Sequence, residues 1–362
     1  MPQTHPRLIL GSDSLAVDCA GAQVILGTAH WLGIREVDAA GRFPATQMQL
    51  SEMTLGETKA ISKGVAVNTK IVSWMSADTT SLKGDNIRGS LLCSRENLQL
   101  EGGQRINVLL CHAPDDNTPI KEQASALHEL HQQGVFDKLG VCSWPLGTLI
   151  NFIDICENKG YVKPSVYQGH YNVLQRGRET LMPTLRKHGI RFDAHSTLAD
   201  GFLSGSLTTG NVEGTRFGKE GETLMERSMC AALKQMYDKP EMHEAMRFLD
   251  EVLVPINKPK QEWLDNPLRY LNELKKPQVT KVELALRWVC YHSMLTPEDG
   301  VILGVSKPQQ LSANVAAIEK GPLPDDLLAA VEMAWKISSV TNKKSTANRA
   351  RAACESRAGS SS

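Results

Sequence analysis

Eight short apolar runs, each separated from the next by a stretch with helical periodicity, limit the possible folds of this chain most strongly. The runs are nearly continuous rather than alternating, which is typical of parallel strands covered by helices. Eight such units favour a closed (β/α)8 TIM barrel over an open doubly wound sheet. The predicted strands are Leu8–Gly11, Ile34–Asp38, Val65–Lys70, Ile106–His112, Leu139–Ser143, Ser165–Gln168, Ile190–Ser196 and Gly300–Gly304.

Start and stop signals predict the helices between these strands. Thr118 and Pro119 indicate a cap and an N1 proline, and Gly134 indicates the end of that helix. The segment from Ser306 to Gln309 resembles a capping box and opens a helix that ends near Glu319. Further helices are predicted at Met48–Ile61, Asp85–Leu98, Leu146–Asn158, Glu179–His188 and Val282–His292, with an extra C-terminal helix at Pro324–Ile337.

One connection, between strands seven and eight, is much longer than the others. Its segment Gly205–Lys276 is polar, rich in Gly, Met and Lys, and only partly helical in pattern. A long excursion at the catalytic end of a barrel is typical of a lid or substrate loop. We therefore predict one barrel domain over residues 1–337, followed by a disordered basic tail over 338–362.

Composition excludes several classes of protein. The chain has 362 residues, 41% of them hydrophobic, which suffices for one large core. Lys+Arg and Asp+Glu balance at 40 each without a basic stripe, so we expect no nucleic-acid partner. The N-terminus lacks a secretory signal and no apolar stretch is long enough to span a membrane. We expect a cytoplasmic protein with reduced cysteines, and its oligomeric state stays open.

Three polar residues that can hold or move a proton stand at the ends of successive predicted strands. They are Asp38, Lys70 and His112. Because the carboxyl ends of all barrel strands meet at one mouth, the pattern predicts an active site there. No G-x-G-x-x-G motif follows the first strand, which argues against a Rossmann domain.

Seven segments in order resemble the aldo-keto reductase superfamily, in particular the aflatoxin-aldehyde reductase branch and its fungal relatives. They are REVDAAGRF, VNTK, LLCHAPD, GVCSW, VYQGHYN, STLADGFLSG and VILGVSKPQQLSANV. The resemblance implies NADPH-dependent reduction of a carbonyl, in which a tyrosine supplies the proton beside a lysine, an aspartate and a histidine. Asp38, Lys70 and His112 match three of these positions, and His112 also matches the position that contacts the substrate carbonyl.

The fourth position is Phe43, which keeps the ring but cannot give a proton. No tyrosine precedes Tyr161, so a shifted alignment does not supply one. General acid catalysis contributes roughly 10²- to 10⁴-fold in rate, so we expect slowed turnover unless His112, Lys70 or a water substitutes. The alternative is a catalytically silent barrel that binds NADP(H) as a structural or sensing module. A metal-dependent hydrolase is a third possibility, but the strand ends carry too few His and Asp ligands, and no metal is predicted.

The same resemblance implies an NADP(H) site that begins at the nicotinamide. Ser143 and Gln168 match the pair that holds its amide, Trp144 stands where Asn is usual, and His195 stands where a ring stacks. The loop Ser196–Gly205 resembles the strap over the diphosphate, and its implied cofactor-binding residues are Ser196, Thr197, Leu198, Ala199, Asp200 and Gly201. Thr197 replaces a proline and Asp200 a glycine in this strap. An extra carboxylate near phosphate weakens binding by repulsion unless it points away.

The adenosine end is predicted around Gly304, where a helix begins. A helix N-terminus offers backbone N–H groups to phosphate, and Ser306 and Lys307 match the contacts to the 2'-phosphate, which favours NADPH over NADH. Gln310 and Asn314 match positions around the adenosine, and Arg216 resembles a further phosphate-side arginine. A solvated surface is the alternative for Lys307 and Arg216.

The sequence therefore predicts an NADP(H)-dependent oxidoreductase acting on a small-molecule carbonyl or alcohol. Methionines at 225, 229, 236 and 242 suggest an adaptable apolar wall, although such spacing also fits ordinary packing. We expect a bulky apolar metabolite, as in fungal secondary-metabolite biosynthesis. The identity of the substrate and the direction of the reaction stay open.

Overall fold

The computed structural model is a closed barrel of eight parallel strands, ordered around the barrel as along the chain. It describes residues 5–15, 18–73, 80–218, 223–257 and 278–339. This confirms the predicted (β/α)8 TIM barrel. The strands are β1 Arg7–Gly11, β2 Glu36–Asp38, β3 Ala66–Ile71, β4 Ile106–Cys111, β5 Phe136–Cys142, β6 Pro164–His170, β7 Arg191–His195 and β8 Gly300–Gly304.

Helices follow the strands, and several lie in the long connection between β7 and β8. The first six are α1 Cys19–Trp31, α2 Leu50–Glu57, α3 Gly84–Asn97, α4 Ile120–Gln132, α5 Leu146–Lys159 and α6 Met182–Lys187. The others are α7 Ser206–Thr209, α8 Leu224–Tyr237, α9 Pro240–Asn257, α10 Lys281–Tyr291, α11 Pro308–Glu319 and α12 at 325–339. Short 3-10 segments occur at Ile61–Lys63, Gly177–Leu181 and Ala199–Ser204, the last with a kink at Asp200 and Gly201.

Sequence reasoning missed α1 and misplaced several helix starts. The α1 sequence is rich in Ala and Gly and has only a weak apolar stripe, so no periodic signal marked it; Asp18 caps it by accepting from the backbone N–H of Gly21. Pro119 is the N-cap of α4 rather than its first residue. Lys307, not Ser306, is the N-cap of α11, with Pro308 at the first position.

Close approach of neighbouring strands packs the barrel interior. Val108, Leu110 and Val166 form a cluster of buried side chains. Gly140 on β5 faces this cluster, and a Cβ there would lie 2.9 Å from Leu110 Cγ and 3.2 Å from Val108 Cγ1. A side chain at position 140 would therefore force the interior apart.

The contacts divide the chain into two compact units. The first covers residues 1–171, 176–197 and 289–320 and holds all eight strands. The second covers 172–175, 198–288 and 321–362. Within the second unit, the ring of Phe202 stacks on Tyr237 at 5.4 Å, and Phe217 meets Tyr237 edge-on at 6.3 Å. The predicted long connection is thus largely helical where it is described, and residues 258–277 lie outside the described part.

The predicted C-terminal helix is confirmed at 325–339, and it includes residues 338 and 339, which were assigned to the predicted tail 338–362. The rest of that predicted tail lies outside the described residues. Among the described helices, none is both long and apolar enough to cross a membrane.

Charged side chains close the amino-terminal end of the barrel. Arg7, Glu36 and Arg191 are the first residues of their strands. The Arg191 guanidinium lies 2.6 Å from Glu36 Oε1 and 2.9 Å from Asp193 Oδ2, while Arg7 Nη1 lies 3.4 Å from Glu36 Oε2. Asp193 is 1% exposed, and its Oδ1 has no hydrogen-bond partner among the described residues. Burial raises the pKa of Asp193 from 3.8 to about 6, although the charge of Arg191 opposes the shift.

Replacing Asp193 by Asn should stabilise the fold above pH 6. The folded state holds the Asp193 proton more tightly than the unfolded state, so stability is lost as pH rises from about 4 to about 6. The ionised carboxylate then costs on the order of 2–3 kcal/mol at neutral pH. We expect the melting temperature of Asp193→Asn to exceed that of the wild type by more at pH 8 than at pH 5.

The matched control is Asp137→Asn, because Asp137 pairs with Arg105 at 3.5 Å with both side chains about half exposed. Its effect on the melting temperature should be small at both pH values. A pH-independent difference between Asp193→Asn and the wild type would contradict the role given to Asp193.

Candidate active site

A buried ion pair forms the centre of the site. Lys70 Nζ donates to Asp38 Oδ2 at 2.7 Å and to the Ala39 carbonyl oxygen at 2.8 Å. Gln168 Nε2 donates to Asp38 Oδ1 at 2.8 Å. Lys70 is 1% exposed and Asp38 is 3% exposed. Strands β2, β3 and β6 thus bring three residues from distant parts of the sequence into one hydrogen-bonded group.

The phenyl ring of Phe43 lies beside this group. Lys70 Nζ lies 4.7 Å from the centre of the ring, in the range of a cation–π contact. His112 meets the same ring edge-on, with 5.8 Å between the ring centres. Phe43 therefore contacts both the lysine and the histidine, and it presents the π face of its ring to the ammonium.

His112 follows the last residue of β4 and is held in its neutral form. Its Nδ1 is buried and has no hydrogen-bond partner within the described part of the chain. Burial lowers the pKa of His112 well below its usual value, and the charges of Lys70, Arg42 and His195 lower it further. A neutral imidazole can donate one N–H, so His112 can hydrogen-bond a substrate oxygen without carrying charge.

Arg42 is a charged residue beside this site that sequence reasoning missed. Its Nη1 donates to the carbonyl oxygen of Ser73, just past the end of β3, at 2.9 Å. Burial lowers the pKa of Arg42. The only signal in the sequence was an arginine directly before Phe43, and a single arginine in a loop has no pattern that distinguishes it from a surface residue.

The end of β5 lies against Gln168. The backbone N–H of Ser143 donates to the Gln168 carbonyl oxygen at 2.9 Å, and the Cys142 thiol lies 3.9 Å from both Ser143 Oγ and Gln168 Oε1. Trp144 is fully buried and packs edge-on against Phe152 of α5 at 5.4 Å. Trp144 is therefore placed as a core residue behind Ser143, and its role toward a nucleotide stays a prediction.

The ends of β6 and β7 carry two histidines. The rings of His170 and His195 lie 5.4 Å apart in an edge-on arrangement. His195 Nδ1 and Ser196 Oγ lie within hydrogen-bond distance at 3.1 Å, and Thr197 Oγ1 donates to the Ile302 carbonyl oxygen at 3.3 Å. The predicted stacking residue thus stands at the mouth, and His170 is a neighbour that the sequence did not single out.

Among the described residues, seven that are not glycine have left-handed φ angles, and four of the seven are predicted cofactor positions. Left-handed φ angles occur at Ser143 (58°), Ser196 (53°), Ala199 (52°) and Asp200 (55°), none of which is glycine. Such conformations cost of order 1–3 kcal/mol each and cluster at ligand clamps and active sites. Four of them at positions predicted from other signals support a binding role for these segments.

The second unit contains the rest of the predicted strap. Leu198 is half-buried, Ala199 is buried, and Gly201 has a φ of 101°. The Asp200 carboxylate faces Arg216, whose Nη1 lies 3.7 Å from Asp200 Oδ1. The structure therefore brings together the two strap-side residues of opposite charge.

At the start of α11, the side chain of Gln310 accepts hydrogen bonds from the backbone N–H groups that a phosphate would use. Its Oε1 accepts from the backbone N–H of Ser306 at 2.9 Å, from that of Lys307 at 3.2 Å and from Ser306 Oγ at 3.2 Å. Lys307 and Gly304 are exposed, whereas Asn314 is 7% exposed. A phosphate bound here would take over donors that Gln310 holds.

Together, a closed eight-stranded barrel and a buried Lys–Asp pair at the carboxyl ends of its strands define a barrel enzyme with its chemistry at that mouth. The sequence model of the Aldo/keto reductase family matches residues 7–336, and the chain belongs to that family. It is therefore an oxidoreductase.

Individual relatives agree with this assignment. An aldo-keto reductase of Pseudocercospora fijiensis is 31% identical over 87% of this chain and 98% of its own length. Aflatoxin B1 aldehyde reductase member 2 of Rattus norvegicus is 33% identical over 92% of this chain and 85% of its own length. The aldo-keto reductase pigE of Monascus ruber is 26% identical over 70% of this chain and 68% of its own length.

Removing the Asp38 charge should strongly destabilise the fold. Asp38→Asn leaves the Lys70 ammonium buried without its counter-charge, and breaking a buried pair costs about 3–5 kcal/mol in unfolding free energy. Urea denaturation of the variant and the wild type measures this cost.

The exposed pair between Lys163 and Glu157 has the same 2.7 Å separation and is the matched control. Glu157→Gln should leave the unfolding free energy nearly unchanged. If Asp38→Asn and Glu157→Gln change the unfolding free energy equally, burial of the Lys70–Asp38 pair does not account for its contribution to stability.

Proposed function

We propose that this protein is an NADPH-dependent carbonyl reductase with weak acid catalysis. The observation that carries the proposal is the hydrogen-bonded group of Lys70, Asp38 and Gln168 with His112 beside it. Membership of the Aldo/keto reductase family supports a nicotinamide cofactor and a small-molecule carbonyl or alcohol as substrate. The nicotinamide supplies hydride to the carbonyl carbon when it is bound.

The residues of the mouth fit such a cofactor. Gln168 Oε1 is an acceptor and Ser143 Oγ a hydroxyl, and they approach the same thiol of Cys142 at 3.9 Å, so both can bind one amide group. The buried Nδ1 of His112 has no hydrogen-bond partner among the described residues, so it can bind a polar atom of a ligand. Ser306 and Lys307 would hold the 2'-phosphate that distinguishes NADPH from NADH.

Without a tyrosine, the proton that the reduced carbonyl oxygen requires must come from another group. The Lys70 ammonium directs its N–H groups at Asp38 Oδ2, the Ala39 carbonyl oxygen and the face of Phe43. Giving up a proton would therefore disrupt a buried pair. We propose that His112 orients the substrate carbonyl through its N–H and that the positive charges of Lys70 and Arg42 stabilise the developing negative charge on oxygen. A proton from solvent then neutralises the alkoxide, so that carbonyl, hydride and proton together give the alcohol.

For the substrate, we propose an apolar metabolite, as in the secondary metabolism of fungi. The phenyl ring of Phe43 gives the mouth an apolar surface beside the reacting carbonyl, and the relatives from Pseudocercospora fijiensis and Monascus ruber are fungal proteins. The methionine wall stays a prediction: Met242 is 2% exposed and Met236 is 37% exposed. We also retain a cytoplasmic location as part of this proposal.

A second candidate function follows from Phe43 alone. The barrel would bind NADP(H) without turnover and act as a structural or sensing module. The contact of Lys70 with the Phe43 ring supports it, because this contact satisfies the lysine in the absence of a proton donor.

Restoring the missing hydroxyl separates the two candidates. Phe43→Tyr should raise kcat for reduction of 4-nitrobenzaldehyde with NADPH by roughly 10²- to 10⁴-fold, because the tyrosine supplies general acid catalysis. The measurement is the loss of NADPH absorbance under saturating NADPH, with cofactor binding checked separately by quenching of tryptophan fluorescence.

Phe248→Tyr is the control, since Phe248 is also a half-buried phenylalanine and lies on α9. It should not change kcat. If the wild type turns over and Phe43→Tyr gives no increase while NADPH still binds, the proposed consequence of the missing donor is wrong. If neither protein turns over but both bind NADPH, the silent barrel is favoured.

Lys307 should distinguish the two nicotinamide cofactors. Lys307→Met should weaken NADPH binding roughly 10- to 100-fold, because it removes a charge-assisted hydrogen bond to phosphate. It should leave NADH binding unchanged. Lys320→Met is the control at the other end of α11, and an equal loss for NADH would contradict a 2'-phosphate site at Lys307.

A further inference from the structure

The strap residue Asp200 has an unusual combination of charge, backbone strain and partners. Ala199, Asp200 and Gly201 are three consecutive left-handed residues, with φ of 52°, 55° and 101°. Backbone N–H groups of Gly201 and Leu203 both donate to the Leu198 carbonyl oxygen, at 3.0 and 3.3 Å. These bonds fix the turn, so the direction of the Asp200 side chain is set by a constrained backbone.

Arg216 and Tyr237 are among the partners of the Asp200 carboxylate. Arg216 Nη1 lies 3.7 Å from Oδ1, and the Tyr237 hydroxyl donates to Oδ2 at 3.3 Å. Burial and the charge of Asp200 raise the pKa of Tyr237, so the tyrosine stays a donor at any physiological pH. The Asp200 side chain is 15% exposed and that of Arg216 is 38% exposed. The ion pair is partly shielded from water, yet too long for a hydrogen bond.

Arg216 can leave Asp200 for a ligand that forms shorter and stronger hydrogen bonds with its guanidinium. The guanidinium has five N–H donors in a planar fork that suits two phosphate oxygens at hydrogen-bond distance, whereas Asp200 engages it only at 3.7 Å. A diphosphate carries more charge than one carboxylate and can approach the exposed part of Arg216. Once the arginine turns to the phosphate, the negative charge of Asp200 is balanced less well and repels the same ligand.

We propose that Asp200 is an internal competitor for the cofactor diphosphate: it holds Arg216 in the free protein, and the nucleotide binds by taking Arg216 over. This inference rests on the proposed nucleotide site. It makes Asp200 a determinant of cofactor affinity in this chain, which lowers that affinity and speeds release of the oxidised cofactor.

The test compares Asp200→Asn with the wild-type protein by fluorescence titration with NADPH and with NADH. Asn has the same size, keeps an oxygen for the Tyr237 hydroxyl and tolerates left-handed φ, so the turn should be preserved. Removing the charge should lower Kd by roughly 3- to 10-fold. The gain should be equal for both nucleotides because both carry the diphosphate, and it should shrink in high salt.

Asp238→Asn is the matched control, since it removes a carboxylate of the same unit that pairs with His243 at 2.9 Å and is 49% exposed. It should leave both Kd values unchanged. Arg216→Met should weaken binding more in the Asp200→Asn background than in the wild type, because only the former offers Arg216 to the ligand without competition.

The outcomes separate this inference from the proposed function. If both nucleotides bind and Asp200→Asn does not tighten them, or tightens NADPH alone, internal competition for the diphosphate is wrong. If neither nucleotide binds to the wild type or to Asp200→Asn, the proposed cofactor site fails and this inference fails with it. Melting temperatures of all variants verify that each comparison is made on folded protein.

Discussion

The buried ion pair between Lys70 and Asp38 is the interaction on which the site depends. The two charges lie 2.7 Å apart and are almost fully shielded from water, so they need further hydrogen bonds to offset their lost hydration. The Ala39 carbonyl oxygen and the Gln168 side chain supply these bonds. Each of these partners comes from a strand, or from the residue directly after a strand, so closure of the barrel holds the charges in register. The pair in turn fixes where Gln168 and the ring of Phe43 lie.

Phe43 changes what this arrangement can do without disturbing it. The Lys70 ammonium still donates to Asp38 and to the Ala39 carbonyl oxygen, and it also lies over the aromatic face of Phe43. Neutral His112 meets the same ring edge-on, and its lowered pKa follows from burial near positive charges. The mouth is thus well suited to binding and polarising a carbonyl and poorly suited to protonating it, which is why the rate of turnover is the property that discriminates between the proposed functions.

Three further charged residues influence the local electrostatics of the two units. At the amino-terminal end of the barrel, Asp193 carries a charge that the interior disfavours. At the mouth, Arg42 adds positive charge beside His112. In the strap, Asp200 adds a negative charge that Arg216 balances. Asp193 is paired with Arg191 two residues earlier on the same strand, Arg42 donates to the Ser73 carbonyl oxygen, and Asp200 is paired with Arg216.

Much of the fold was predictable because it depends on local pattern. All eight strands were found, since a buried parallel strand is a short apolar run whatever surrounds it. Helix α1 was missed because its Ala- and Gly-rich sequence has little periodicity, and the starts of α4 and α11 were misplaced because a cap is defined by backbone angles as well as by residue type.

The sequence alone determined the number of β–α units, the chemical types at the strand ends and the absence of a tyrosine before Tyr161. Only the tertiary structure decided that Lys70 bonds Asp38 and faces the Phe43 ring, that His112 is neutral, and that Asp200 turns to Arg216. The physical reason is that distance, burial and local potential arise when segments remote along the chain are brought together. No residue carries that information in its own identity or in that of its neighbours.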